Sequence, residues 1–137
     1  MSSARTVHIA CLCAAWCRLC DEYRAVLESL ADEVDRTGVP ANWHWVDIED
    51  EADLVGELDV ETFPTIVVAD DAHVRFAGPV TPQRETLQRL LRATVIDAAA
   101  TTAWSPVAPA VDALAAGLRE RQPDRLAPDN GRSSEAE

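Results

Sequence analysis

Cys17 and Cys20, in the run Trp16-Cys17-Arg18-Leu19-Cys20, are the residues of this chain best equipped to do chemistry. They form a Cys-x-x-C that follows an apolar, strand-like run and opens a helical pattern. At the N-terminal lip of a helix, unpaired first-turn N–H groups and the positive end of the macrodipole favour a thiolate. Thiolate is the attacking species in disulfide exchange. Three residues further on, Cys20 returns to the same side of the first turn, within bonding reach of Cys17 and tucked beneath it. The expected chemistry is dithiol–disulfide exchange, in which Cys17 attacks a substrate disulfide and Cys20 resolves the mixed disulfide. Such an internal exchange needs no cofactor and no metal.

Two other readings of the cysteines compete with this one. Cys11, Cys13, Cys17 and Cys20 fall within ten residues, which raises a Cys₄ zinc or iron–sulfur site. Those sites usually draw ligands from two separated knuckles, and this chain has no second cluster. An inert Cys17–Cys20 staple is the other rival, although closing so short a loop contributes little stability. Cys11 and Cys13 alternate with Ile9 on one face of a strand, so both are read as small buried core residues that stay reduced.

The elements that must position this pair can be read along the chain. Val7 to Cys13 has almost no polar interruption, as expected for a strand covered on both faces. Leu19, Tyr23, Val26, Leu27, Leu30 and Val34 recur at helical steps and make one apolar stripe, ended by Gly38 and Pro40. Asn42 to Ile48 is a strand with Trp43, Trp45 and Asp47 on one face and His44, Val46 and Ile48 on the other. Glu51 to Leu58 makes a short helix. Ile66 to Ala69 and His73 to Phe76, joined at Asp70-Asp71, read as an antiparallel hairpin. Gly78 and Pro79 break the chain, after which Thr81 caps a helix with Pro82 in its first position and Leu87, Leu90, Leu91 and Val95 along its stripe. The order is β-α-β-α-β-β-α, and its first two strands must be parallel.

Beyond Ala98 the composition shifts to a linker and then to Val107, Val111, Leu114 and Leu118, the stripe of one more amphipathic helix. Residues 1–97 are thus read as one domain, 98–122 as linker and C-terminal helix, and 123–137 as a disordered tail poor in buriable residues. The sequence leaves open whether that last helix packs on the domain or joins two copies. His8 and His44 are read as satisfied core or edge histidines, and His73 as exposed beside its turn.

Composition narrows the partners. With 137 residues, 47% of them apolar, the chain can bury one real core. It carries 24 acidic residues against 12 basic ones, every basic one an arginine, for a net charge of −12. Nucleic acid and anionic membrane surfaces are therefore excluded as partners. Val7 to Trp16 falls short of the roughly 20 apolar residues that cross a bilayer. The run also contains His8 and lacks a small-residue cleavage site after it, which argues against a signal peptide. A reducing cytoplasm is the expected setting, where an isolated Cys-x-x-C is more often catalytic than structural.

Ala15-Trp16-Cys17-Arg18-Leu19-Cys20, then Val46-Asp47-Ile48-Glu49, then Phe63-Pro64-Thr65, then Gly78, resemble in order and spacing the motifs of the thioredoxin superfamily. The resemblance runs from about Val7 to Val95. It implies a three-layer α/β/α sandwich around a four-stranded mixed sheet, with the C-terminal helix added to it. It also implies a protein-disulfide oxidoreductase with Cys17 as exposed nucleophile, Cys20 as resolving thiol and Pro64 in cis beside them. Trp16, Arg18, Leu19, Phe63, Pro64, Thr65 and Gly78 would then line a substrate groove, where backbone groups of Phe63 and Thr65 pair with an extended chain. The implied partners are protein disulfides and a thiol reductant or reductase.

The sequence departs from that family at two buried positions. Cys11 stands where thioredoxins carry a buried aspartate, and Trp45 where they carry a lysine. Arg18 adds a positive charge beside Cys17 that favours the thiolate, while Asp21 and Glu22 oppose it. The missing acid–lysine couple supports an alternative reading, a thioredoxin-like binding module with little or no redox turnover.

Overall fold

A computed structural model describes residues 6–14, 17–58, 60, 63–97 and 103–124. Its four strands are β1 (Val7–Cys13), β2 (Ala41–Asp47), β3 (Thr65–Ala69) and β4 (Val74–Pro79), and they form one sheet in the order β2-β1-β3-β4. β1 is central, parallel to β2 and antiparallel to β3, which in turn pairs antiparallel with β4. All seven β1 residues are buried, the reason that stretch reads as a nearly unbroken apolar run. The helices are α1 (Arg18–Arg36), α2 (Ala52–Val55), α3 (Arg84–Leu91), continued by a π-helical turn over Arg92–Ile96, and α4 (Pro109–Glu120). The expected α/β order and four-stranded mixed sheet are therefore present.

Strand alternation sorts the core into two sides. Val7, Ile9, Cys11 and Cys13 of β1, Trp43 of β2, and Ile66 and Val68 of β3 meet α1 and α3 on one face. Ala10 and Leu12, with Val46, Val67 and Val55, meet Leu114 and Leu118 of α4 on the other. Where α4 crosses α2, Gly117 has no side chain to collide with Leu54 Cδ1, which a Cβ there would strike. The C-terminal stripe is thus spent inside this chain: Leu114, Ala115 and Leu118 are fully buried. Leu114→Ala is expected to cost about 2–5 kcal/mol, the range for truncating a fully buried leucine. A urea midpoint unchanged by that substitution would show that α4 is not part of the core.

Several local expectations need correction. The α1 stripe is displaced by one residue at its start: Leu19 is 40% exposed, and Cys20 takes the buried place ahead of Tyr23 and Leu27. α1 does end at Gly38, whose φ of +84° suits a glycine. The helix expected over Glu51 to Leu58 is a single turn, because Gly56 leaves the helical region at φ +62°. Gly78 and Pro79 do not break the chain but complete β4, Gly78 opposite Ile66 and Pro79 opposite Thr65. Edge strands tolerate proline, since its missing N–H is not needed on the open side. Thr81 does not cap α3, which begins at Arg84 with Gln83 as N-cap. The Thr81 hydroxyl instead meets Thr86 Oγ1 at 2.9 Å.

The start of the expected disordered tail is also held in place. Asp124 donates its N–H to the Trp43 carbonyl at 2.7 Å and accepts the Trp45 N–H at 2.7 Å, capping part of the open β2 edge. Residues 125–137, expected to be disordered, lie outside the described residues. Among the described residues, no helix is long and apolar enough to cross a membrane.

Candidate redox site

The site lies where β1 ends and α1 begins. Cys17 is the N-cap residue of α1, with extended backbone at φ −88° and ψ 106°. Its N–H donates to the Ala14 carbonyl at 2.9 Å, and its carbonyl accepts the Cys20 N–H at 3.2 Å. This tight turn fixes Cys17 at the positive end of a 19-residue helix, where an anionic sulfur is favoured. Of the four cysteines only Cys17 is open to solvent, being half-buried, whereas Cys11, Cys13 and Cys20 are 0–2% exposed. Arg18 and Leu19, the two residues between the motif cysteines, are exposed.

Cys20 does not pair with Cys17 in this structure. It forms a disulfide with Cys13, with Cα atoms 6.1 Å apart, inside the usual range for such a bond. The reason is the face each residue occupies. Cys20 belongs to the buried stripe of α1 that faces the sheet, and Cys13 is the last residue of β1 on the sheet face beneath it. The expectation that Cys11 and Cys13 both stay reduced is therefore corrected for Cys13. Cys11, one pleat deeper on that face, is a free thiol whose Sγ lies 3.6 Å from Cys13 Sγ. Burial pushes the Cys11 thiol up to about 12, so it stays protonated and can donate toward Cys13 but cannot attack.

The β1–β3 register pairs Leu12 with Thr65, which brings the Phe63–Pro64 segment level with Cys13 at the same end of the sheet. The Phe63–Pro64 peptide bond is cis. Phe63 and Cys17 both pack against the cluster that contains Cys13 and Cys20, while Pro64 and Thr65 are buried. Pro64 accepts the Val80 N–H on its carbonyl at 3.1 Å. Gly78 sits in β4 against the Phe76 ring. Of the expected groove residues, then, Cys17, Arg18, Leu19 and Phe63 reach solvent near the helix start, and Trp16 lies outside the described residues.

His8 and His44 lie on the opposite face of the sheet from the sulfurs. His8 Nδ1 meets His44 Nε2 at 3.2 Å, and an Arg121 guanidinium nitrogen meets His44 Nδ1 at 3.1 Å. Guanidinium only donates, so His44 Nδ1 must accept, which leaves the proton of a neutral His44 on Nε2 pointing at His8. Burial, then the Arg121 charge, then His8 hold His44 at about 4. Arg121 also makes a two-pronged ion pair with Glu51, at 2.7 Å on each oxygen, and bonds Asp124 at 3.0 Å. Asp70 forms a second buried polar centre: its carboxylate accepts the Ala72 and His73 N–H groups, each at 2.7 Å, and the Arg75 guanidinium at 2.8 Å. These centres tie α4 and the β3–β4 turn to the sheet and take no part in the sulfur site. Among the described residues, no group of three or more His, Cys, Asp or Glu could hold a metal ion.

Cys13 is the site residue that sequence reading missed. The signal was present in the alternation that placed Cys11 and Cys13 on one strand face, but it needed Cys20, rather than Leu19, to head the buried stripe of α1.

A family model described as thioredoxin matches residues 2–93. No curated protein matches. Among solved structures, the germline-specific thioredoxin Deadhead of Drosophila melanogaster is similar with a TM-score of 0.54 and 19% identity, over 63% of this chain and 78% of that one. A mutant thioredoxin from Halobacterium salinarum aligns with a TM-score of 0.53 and 24% identity, over 64% and 74%. The oxidised mitochondrial thioredoxin 3 of Saccharomyces cerevisiae aligns with a TM-score of 0.53 and 17% identity, over 63% and 76%. At these identities the likeness is one of fold.

Proposed function

This chain belongs to the thioredoxin family, and on that premise we propose that it is a protein-disulfide oxidoreductase whose attacking sulfur is Cys17. The observation that carries the reading is the contrast among its four cysteines: one half-exposed sulfur caps a long helix, and three lie buried directly behind it. Cys17 thiolate attacks a client disulfide, one client sulfur leaves as thiolate, and a mixed disulfide forms. Cys20 then attacks Cys17 Sγ, releasing the second client sulfur and closing Cys17–Cys20. Arg18, Leu19 and Phe63 are the solvent-reaching residues against which a client segment would lie, with the buried Pro64 and Thr65 behind them; Trp16 and Gly78 are the further groove residues that the family resemblance implies. The expected partners are protein disulfides on one side and a thiol reductant or reductase on the other, in the cytoplasm.

The test is insulin reduction by dithiothreitol, followed as turbidity. Catalytic amounts of this protein should shorten the lag severalfold, and a lag no different from dithiothreitol alone would reject the oxidoreductase reading. The binding-module alternative draws support from the engagement of Cys20 with Cys13, which withholds the resolving thiol from Cys17. It predicts that a chain lacking both Cys17 and Cys20 sulfurs still binds a client segment with unchanged affinity.

A further inference from the structure

The disulfide in this structure does not involve the attacking sulfur, and it shares Cys20 with the pair that the proposed reaction would close. Cys20 therefore stands between two partners. One is Cys17, three residues before it at the helix start. The other is Cys13, beneath it on β1. On the oxidoreductase reading just given, we propose that Cys13 is a third exchange sulfur, which takes the disulfide inward from Cys17–Cys20 to Cys13–Cys20 and sets Cys17 free again.

The step balances within the protein. Cys13, as thiolate, attacks Cys20 Sγ; the Cys13–Cys20 bond forms, the Cys17–Cys20 bond breaks, and Cys17 leaves as thiolate while the Cys13 proton goes to solvent. No net electrons move, so no oxidant or reductant is required. One feature favours the inward position and another makes the step feasible. Cys17 is the sulfur best placed to leave as an anion, because it returns to the N-terminus of α1. For the attack itself, the Cys11 thiol lies 3.6 Å from Cys13 Sγ and can donate to it, which offsets the cost of forming a thiolate at that buried position.

The consequence is a change in what the site does once oxidised. A reduced chain captures a client and lets it go, since Cys20 is available to resolve. A chain carrying Cys13–Cys20 still has an attacking sulfur but no resolving one, so a second client is held as a lasting mixed disulfide on Cys17. The same surface would then turn over clients under reducing conditions and retain them covalently when the internal disulfide is formed.

The probe is 5,5′-dithiobis(2-nitrobenzoate), added in excess without denaturant to the fully reduced full-length chain, followed by an acid quench and disulfide mapping by mass. Wild type should release about three thionitrobenzoates per chain: one on attack by Cys17, one on resolution by Cys20, and a slower third when the freed Cys17 attacks again. Its product should carry a Cys13–Cys20 disulfide and a thionitrobenzoate adduct on Cys17. Release that stops at about two, with Cys17–Cys20 closed and Cys13 free, overturns the proposal. Cys13→Ala should stop at that lower yield, and Cys17→Ser should release none on the same time scale. Rapid release from Cys17→Ser would mean that Cys13 or Cys20 reacts directly, which also overturns it. If Cys13→Ala fails to fold, the wild-type mapping decides alone. Insulin reduction separates the two levels: loss of that activity in Cys17→Ser together with a wild-type yield of two rejects only the inward transfer, whereas retained activity rejects the reading of the site itself.

Discussion

Cys17→Ser should lower the protein-dependent part of insulin reduction, the rate above the dithiothreitol background, at least about 100-fold, because a serine hydroxyl is not ionised at neutral pH and cannot open a disulfide. The fold should survive, since Cys17 is half-buried, caps α1 without a side-chain hydrogen bond and is not in the Cys13–Cys20 disulfide. The urea midpoint of the variant is the control that separates lost chemistry from lost structure. Cys11→Ala should behave in the opposite way. Its thiol is buried and held protonated, so its removal should leave the rate within about twofold while costing stability through the small cavity. Equal losses in the two variants would place the chemistry somewhere other than the helix start.

The second large effect is on stability, through the His8–His44–Arg121 array. His44 sits at about 4 in the folded chain, against about 6.5 unfolded. Between those values the unfolded chain binds the proton and the folded one does not. Stability therefore holds above pH 6.5 and is lost as pH falls toward 4, by on the order of 3 kcal/mol. His8 is lowered as well, by burial first of all, and adds in the same direction. The physical cause is specific: a protonated His44 can no longer accept from Arg121, and the added charge is buried beside a guanidinium. Asp70 is also held below the ordinary carboxylate range despite its burial, by the Ala72 and His73 N–H groups and by Arg75. Its contribution is lost only at lower pH, so the window from 7.5 to 4.5 isolates the histidines. Urea midpoints measured across that window should fall in wild type and fall distinctly less in His44→Gln, where only the His8 contribution remains. A flat wild-type profile would show that the histidine array does not couple to folding.

How much of this could be read from residue order alone varies with the kind of interaction. Strand β1 was legible because a buried central strand excludes polar residues, and the β2 faces followed from alternation of Trp43 and Trp45 with His44 and Val46. The end of α1 was legible in Gly38. What failed depended on distant contacts. Hydrophobicity placed Leu19 on the stripe of α1, but the sheet beneath accepts the smaller Cys20, and that one-residue rotation decides which sulfur meets Cys13. The path of β4 through Gly78 and Pro79 depends on pairing with Thr65 and Ile66, which local turn propensity cannot register. Arg121, Glu51, Asp124 and His44 are separated by as many as 80 positions in the chain and become one network only after α4 has crossed the sheet. The position of Cys17 at the start of a helix was readable from spacing; the bond between Cys13 and Cys20 depended on two elements facing each other.

The most direct measurement is alkylation of the fully reduced native chain by a limiting pulse of iodoacetamide, with each cysteine read by mass mapping. Cys17 alone should be labelled, and Cys11, Cys13 and Cys20 should react only after urea is added. Labelling of any of those three at the rate of Cys17, or a Cys17 that stays unlabelled until unfolding, would contradict the account.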